Sequence, residues 1–169
     1  MALELKIDEE ITLKQFSVED AGAIFELIDR NREHLSQHDD DTAGKYLNEE
    51  TVLESIQNPK NTERLRIGIW AGEDLTGSIN LTRFNGSASF EIGYYLGSEY
   101  QERGYMTRAV NKIVEYAFAE KKACTVFANV HPNNTRSMAV LERAGFSTSN
   151  KVTKAGSLIY FKCRLTTDH

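Results

Sequence analysis

Cysteine, proline and tryptophan are scarce in this chain, and long apolar runs are missing. The 169 residues hold two cysteines, two prolines and one tryptophan. Cys124 and Cys163 lie far apart with no metal-ligand spacing, which argues against a disulfide framework and a zinc site. Each is expected as a small buried hydrophobe in a reducing compartment. No apolar stretch approaches the ~18 residues of a membrane-spanning helix, and no basic-then-apolar signal region opens the chain. A soluble, cytoplasmic protein without membrane contact is therefore expected. Positive charge is also in deficit: 20 basic against 25 acidic residues give a net charge of −5. With no long basic run, direct nucleic-acid binding is not expected. An acidic balance suits a cationic partner such as an amine, and it is also what an ordinary acidic surface looks like. Repeats, low-complexity tracts, internal linkers, Walker-type phosphate loops and a catalytic-triad order are all lacking. Residues 1–169 are expected to form a single domain.

What is present is periodicity. Residues 3 to 16 alternate as strand with a break near Asp8-Glu9. Ser17 to Asp20 has the form of a capping box, and Ala21, Ile24, Phe25 and Ile28 recur at helical spacing as far as about Arg30. Residues 32 to 46 are polar, with acidic residues at Asp39, Asp40 and Asp41 and no clear period. A short helix is expected after Asn48, ending before Pro59. Strands follow around Leu65–Ile69 and Ile79–Leu81, with a hairpin turn at Asn85-Gly86. In the next strand Ala88, Phe90, Ile92, Tyr94 and Leu96 share one face, leaving Glu91, Gly93 and Tyr95 on the other. A helix with the stripe Met106, Ala109, Val110, Ile113, Val114 and Ala117 comes next. A strand at 124–130, a helix from about Asn134 to the C-cap Gly145, and two last strands near 147–153 and 157–165 complete the order β–α–α–β–β–β–α–β–α–β–β. The fold class is mixed α/β: a mostly antiparallel sheet that becomes parallel across the 104–121 helix, because a helical crossover forces parallel pairing.

Two glycine-marked helix starts, one strand apart, carry the chemistry. The first is F-E-I-G-Y-Y-L-G-S-E-Y-Q-E-R-G-Y-M-T-R-A-V at 90–110; the second is V-H-P-N-N-T-R-S-M-A-V-L-E-R-A-G-F at 130–146. In the first, the loop Gln101-Glu102-Arg103-Gly104 opens a helix. Its unpaired N–H groups and partial positive charge suit a phosphate, and Gly104 allows close backbone approach.

Residues 101 to 106 resemble the Q/R-x-x-G-x-G/A signature of the GNAT superfamily of acyl-CoA-dependent N-acyltransferases. The strings E-I-G-Y-Y-L-G, G-Y-M-T-R-A-V and N-x-x-S-x-x-V-L-E-R-x-G-F are similar to its Rim-type branch, which acetylates ribosomal-protein N-termini and related amines. Met106 departs from the signature's Gly or Ala, and is taken as a branch marker. The resemblance runs from about Ile11 to Phe146 and implies the GNAT fold, with the two parallel strands splayed around the pantetheine arm. It implies acetyl-CoA as cosubstrate and no metal. Gln101, Glu102, Arg103, Gly104, Tyr105, Met106 and Thr107 would form the cofactor-binding run, with the amides from Arg103 to Thr107 holding the pyrophosphate. The backbone of Tyr94, Tyr95 and Leu96, with Asn134, would meet the pantetheine. A homodimer is common in that branch.

Acyl transfer from a thioester to an amine needs removal of the ammonium proton, donors for the oxyanion and a proton for the departing thiolate. Glu91 is the candidate for the first task, directly or through water; a Glu paired with a basic neighbour on a solvated face is the plainer alternative. Ser137 is the candidate for the thiolate. Many GNAT enzymes carry a tyrosine at the position of Leu141, and Ser137 lies one turn earlier on the same helix face. Its plainer alternative is a helix-start serine making local backbone bonds. Tyr95 and Tyr105 are substitutes. His34-x-x-x-His38 has helical i, i+4 spacing but lacks the Glu of H-E-x-x-H and a third ligand, which argues against a metal. Residues 32 to 46 fall where the family's substrate-covering segment lies, so the resemblance implies that His34, His38 and the three aspartates are acceptor contacts. His131 and Trp70 are expected to be structural. The expected activity is direct acetyl transfer to a primary amine, foremost a protein N-terminal α-amine. The rival acceptors are polyamines or aminoglycoside-like amines, and a non-catalytic acyl-CoA sensor is the other class.

Overall fold

The structure, a computed structural model, describes residues 2–165. Contacts within the chain group it into two compact units. One comprises the chain up to Asn80 together with Tyr94–Tyr105; the other comprises Leu81–Gly93 and the chain from Met106 onward.

In the first unit the apolar alternation forms β1 (Glu4–Lys6) and β2 (Ile11–Gln15), paired antiparallel. The break between them is a turn in which Asp8 Oδ1 accepts from the N–H groups of Glu10 and Ile11, at 2.9 Å each. The Asp20 carboxylate takes the Ser17 N–H at 2.9 Å, so a 3-10 turn leads into α1 (Ala21–Asp29). Asn48 Oδ1 accepts from the Thr51 N–H at 2.8 Å and starts α4 (Glu49–Gln57). Ile24, Leu27 and Ile28 pack with Phe16, Val52, Trp70 and Leu75 into one core cluster. The polar segment that lacks periodicity folds into short turns: α2 (Arg32–Leu35), a 3-10 turn at Gln37–Asp39, and α3 (Thr42–Lys45). Side-chain bonds take the place of an apolar stripe there. The Arg32 guanidinium donates to Asp29 Oδ1 at 2.8 Å, to the Ala43 carbonyl at 2.7 Å and to the Tyr46 carbonyl at 2.9 Å. β3 (Arg64–Ala71) and the first part of β4 (Asp74–Arg83) complete the unit's strands up to Asn80.

In the second unit the turn after β4 has positive φ at both Asn85 (48°) and Gly86 (67°), as a two-residue hairpin requires. It feeds β5 (Ser89–Leu96). The expected stripe of α5 (Tyr105–Ala119), from Met106 to Ala117, is wholly buried. β6 (Thr125–Val130) leads to α6 (Thr135–Arg143). Gly145 (φ 85°) ends α6: its N–H bonds the Glu142 carbonyl at 3.0 Å, and Phe146 N–H bonds the Leu141 carbonyl at 2.9 Å. This paired closure gives the left-handed residue its purpose. β7 (Ser147–Val152) and β8 (Leu158–Cys163) finish the chain's regular structure.

The strands hydrogen-bond in the order β1-β2-β3-β4-β5-β6-β8-β7. The sheet is mostly antiparallel with one parallel pair, β5 and β6, as the α5 crossover demands. That parallel ladder joins Ser89–Glu91 to Thr125–Phe127 and ends there, while β6 stays paired with β8 along its whole length.

The cysteines correct an expectation: both are exposed. Cys124 lies ahead of β6, and the period of two puts Cys163 on the outward face of β8 with Ile159 and Phe161. Those two are 37% and 38% exposed, whereas Tyr160 fills the covered face. Among the described residues, no helix is long and apolar enough to cross a membrane.

Candidate active site

Beyond β5 the chain makes a 3-10 turn, Ser98–Tyr100, and then the loop Gln101–Gly104 that opens α5. Two of its residues are left-handed, Glu102 (φ 66°) and Gly104 (φ 76°). Glycine adopts this freely, whereas the glutamate is held there at a cost on the order of 1 kcal/mol. Backbone strain is therefore built in where the chain turns into the start of a 15-residue helix.

The turn is fixed from behind by α1 and α2. Asn31 is 3% exposed, and its Oδ1 accepts from the N–H (2.9 Å) and Oγ (3.0 Å) of Ser98. Its Nδ2 donates to the Leu27 carbonyl at 2.9 Å and to Glu99 Oε1 at 3.4 Å. Arg30 Nε adds a 3.1 Å bond to the same Glu99 oxygen, and Arg103 Nη2 reaches the Glu99 carbonyl at 3.2 Å. Burial alone would push the Glu99 carboxyl up. Its own backbone N–H, Arg30 and Asn31 outweigh that and hold it below the usual carboxylate range.

His34 Nε2 lies 3.1 Å from the Leu96 carbonyl and 3.0 Å from Gln101 Nε2. A carbonyl needs an N–H, and an amide nitrogen cannot accept. Nε2–H together with a turned Gln101 amide satisfies both neighbours. The ring expected to meet the acceptor thus touches the loop and the end of β5. His38, in left-handed backbone (φ 56°), is exposed. Tyr105 is buried and its hydroxyl donates to Glu10 Oε2 at 2.9 Å. Tyr95 packs against the α1 core, and burial pushes its phenol well above the ordinary value, so it stays protonated through neutral pH.

In the second unit Glu91, half-buried on β5, accepts through Oε2 from Asn129 Nδ2 at 2.9 Å. Asn129 Oδ1 accepts in turn from Ser157 Oγ at 3.3 Å, and Ser157 Oγ lies 3.1 Å from Thr153 Oγ1. The β7–β8 turn therefore orients an amide that orients a carboxylate. Asn134 caps α6 as expected, its Oδ1 accepting from the Ser137 N–H at 3.1 Å. Leu141, where a tyrosine stands in many such enzymes, is fully buried core. Asn129 was not singled out from the sequence. Its signal is visible there: in 125–130 it is, with Thr125, one of two polar residues on the face away from Val126, Ala128 and Val130. A half-exposed carboxylate held by a single amide can take a proton from an ammonium group or from water. Among the described residues no group of three or more His, Cys, Asp or Glu is placed to hold a metal ion.

The chain is similar to known proteins along most of its length. Over 144 residues the chain is 33% identical to "Probable N-acetyltransferase YjcK" of Bacillus subtilis (strain 168), covering 80% of each chain. Over 155 residues it is 30% identical to "Putative ribosomal N-acetyltransferase YdaF" of the same organism, covering 86% of this chain and 82% of that one. Its fold matches a crystal structure described as "RimL- Ribosomal L7/L12 alpha-N-protein acetyltransferase in complex with Coenzyme A", with TM-score 0.84, 14% identity, and coverage of 95% and 98%. A family model, "Acetyltransferase (GNAT) domain", matches residues 10–147, and the chain belongs to that family of N-acetyltransferases.

Proposed function

We propose that the protein moves the acetyl group of acetyl-CoA to a primary amine, with a protein N-terminal α-amine as the acceptor class. The observation that carries this reading is the Glu91 carboxylate, held by Asn129 where the parallel ladder stops. An α-ammonium has a pKa of ~8 and no lone pair, so it must lose a proton before attack; a carboxylate at hydrogen-bond distance, or one water away, supplies that step. The freed amine attacks the thioester carbonyl directly, and as the C–S bond breaks the nitrogen gives its remaining extra proton to water; Ser137 donates a hydrogen bond to the leaving thiolate, which takes its proton from solvent. Tyr105 is the weaker candidate because its hydroxyl is already given to Glu10. The Arg103–Thr107 run, at a helix N-terminus, suits a pyrophosphate through backbone donors. The α-amine class is supported by the names of YdaF and the RimL structure, both of which concern ribosomal acceptors.

Thiol release from acetyl-CoA, measured with ribosomal-protein N-terminal peptides, spermidine and an aminoglycoside, tests the proposal. Turnover is expected with the peptides. Glu91→Gln should lower kcat by about 100-fold or more while acetyl-CoA affinity stays the same. Unchanged turnover would remove Glu91 from the chemistry. Tight acetyl-CoA binding without turnover on any amine would favour a cofactor sensor.

A further inference from the structure

Three glycines lie inside strands, and two of them have a packing reason. A Cβ on Gly68 would meet Phe16, Trp70 and Leu75 at 3.0 Å or closer; one on Gly77 would meet the Tyr95 carbonyl at 2.4 Å and Leu96 at 2.9 Å. Gly93 has no such reason. A Cβ built there meets nothing within 4 Å, its φ is not in the left-handed region, and the residue is exposed. A strand-interior glycine weakens its strand through chain entropy, so alanine or valine would serve the fold better.

The position explains the vacancy. Gly93 follows Glu91 by two residues on one strand, so the side chain it lacks would project on the face that carries the Glu91 carboxylate. The parallel ladder has ended at Glu91–Phe127, just before it. On the same face β6 presents Asn129, bonded to Glu91, and Phe127, which is T-stacked with Phe84 at 5.5 Å between ring centroids. This is a notch with an acid at one end, an amide beside it and aromatic carbon next to both.

We infer that Gly93 keeps open the seat of the acceptor, taking the amine-bearing carbon and its first substituent so that the nitrogen comes to rest against Glu91. The inference rests on the amine-acetylation reading and adds to it a residue that sets acceptor size. A cation fits the carboxylate, and a carbon substituent fits the aromatic edge, so the seat favours a compact amine over a polyhydroxylated one.

The test uses the full chain with glycinamide, alaninamide and valinamide as acceptors of rising bulk, and spermidine as an amine on an unbranched carbon. For Gly93→Ala, acceptor KM should rise about threefold for glycinamide and more than tenfold for valinamide; Gly93→Val should raise both further. Acetyl-CoA Kd, measured by calorimetry, should not change. The Tm of Gly93→Ala should stay level or rise by about 2 °C, because the strand gains a better residue. Unchanged acceptor KM, a weakened acetyl-CoA Kd or a marked fall in Tm would each overturn the inference. If the wild-type protein acetylates spermidine alone, the α-amine class fails, but Gly93→Ala must still raise the spermidine KM. An absence of turnover with every amine removes both readings.

Discussion

The loop before α5 and the carboxylate on β5 are built in opposite ways. Ser98 and Glu99 are held by Asn31, Arg30 and Arg103, with a buried amide at the centre. Glu91 has a single amide contact, on the exposed side of a strand, and open space above the next residue on its face. The first arrangement places backbone N–H groups and tolerates no adjustment. The second leaves a charged group accessible, supported just enough to point it. For a turn proposed to hold a phosphate, rigidity has no drawback, because the cosubstrate is the same whatever the acceptor. For a group proposed to exchange a proton with an acceptor, the carboxylate has to remain reachable.

Breaking the rigid side should have the largest structural effect. Asn31→Ala removes the acceptor of the Ser98 N–H and the donor to Leu27 from a buried position. A loss of about 2 kcal/mol is expected, read as a fall in Tm of about 4–8 °C, with acetyl-CoA KM rising and kcat nearly kept. A Tm within a degree of wild type would show that the turn holds itself. On the open side, Asn129→Ala should leave Tm almost unchanged and lower kcat by about tenfold, since one bond to a charged group is lost. Asn129→Asp sharpens the point: it keeps the shape, removes the N–H donor and sets a like charge beside Glu91, so kcat should fall further than in Asn129→Ala. Wild-type kcat in Asn129→Asp would mean that the amide does not support the carboxylate.

The smallest effect concerns pH and the rigid side alone. Glu99 titrates below the usual range when folded, so the unfolded state binds its proton at higher pH. The stability from that difference is complete above the unfolded carboxyl pKa and is lost as pH falls through the lower, folded one. Glu99→Gln should flatten the acid limb of a Tm–pH curve below about pH 4.5 and change little at pH 7. A parallel downward shift at all pH values would assign Glu99 to packing instead of charge.

Much of this molecule is legible in its sequence, for reasons that particular residues make plain. The α5 stripe and the Asn85-Gly86 turn are encoded within a few residues, so period and turn chemistry suffice to find them. Glu91, Ser137 and the Gln101–Thr107 run come from motif resemblance, and their chemistry still awaits the measurements above. What was not legible is long-range or carried by side chains. Asn31 and Ser98 lie 67 residues apart, and no local pattern links them. Residues 32–46 coil because Arg32 bonds distant carbonyls, which no periodicity announces. The cysteines were misjudged because residue type gave the expectation, whereas strand alternation set the outcome at Cys163.

The half-zipped state of β6 gives the protein an internal clock. Alternate amides along a strand point to opposite sides, so among Ala128, Asn129 and Val130 at least one N–H faces the side where the β5 ladder has stopped. Its neighbours, pointing at β8, are locked in a full ladder. In deuterated water these adjacent amides should exchange at very different rates in the free protein. Their convergence on adding a ligand would time the completion of that edge, amide by amide.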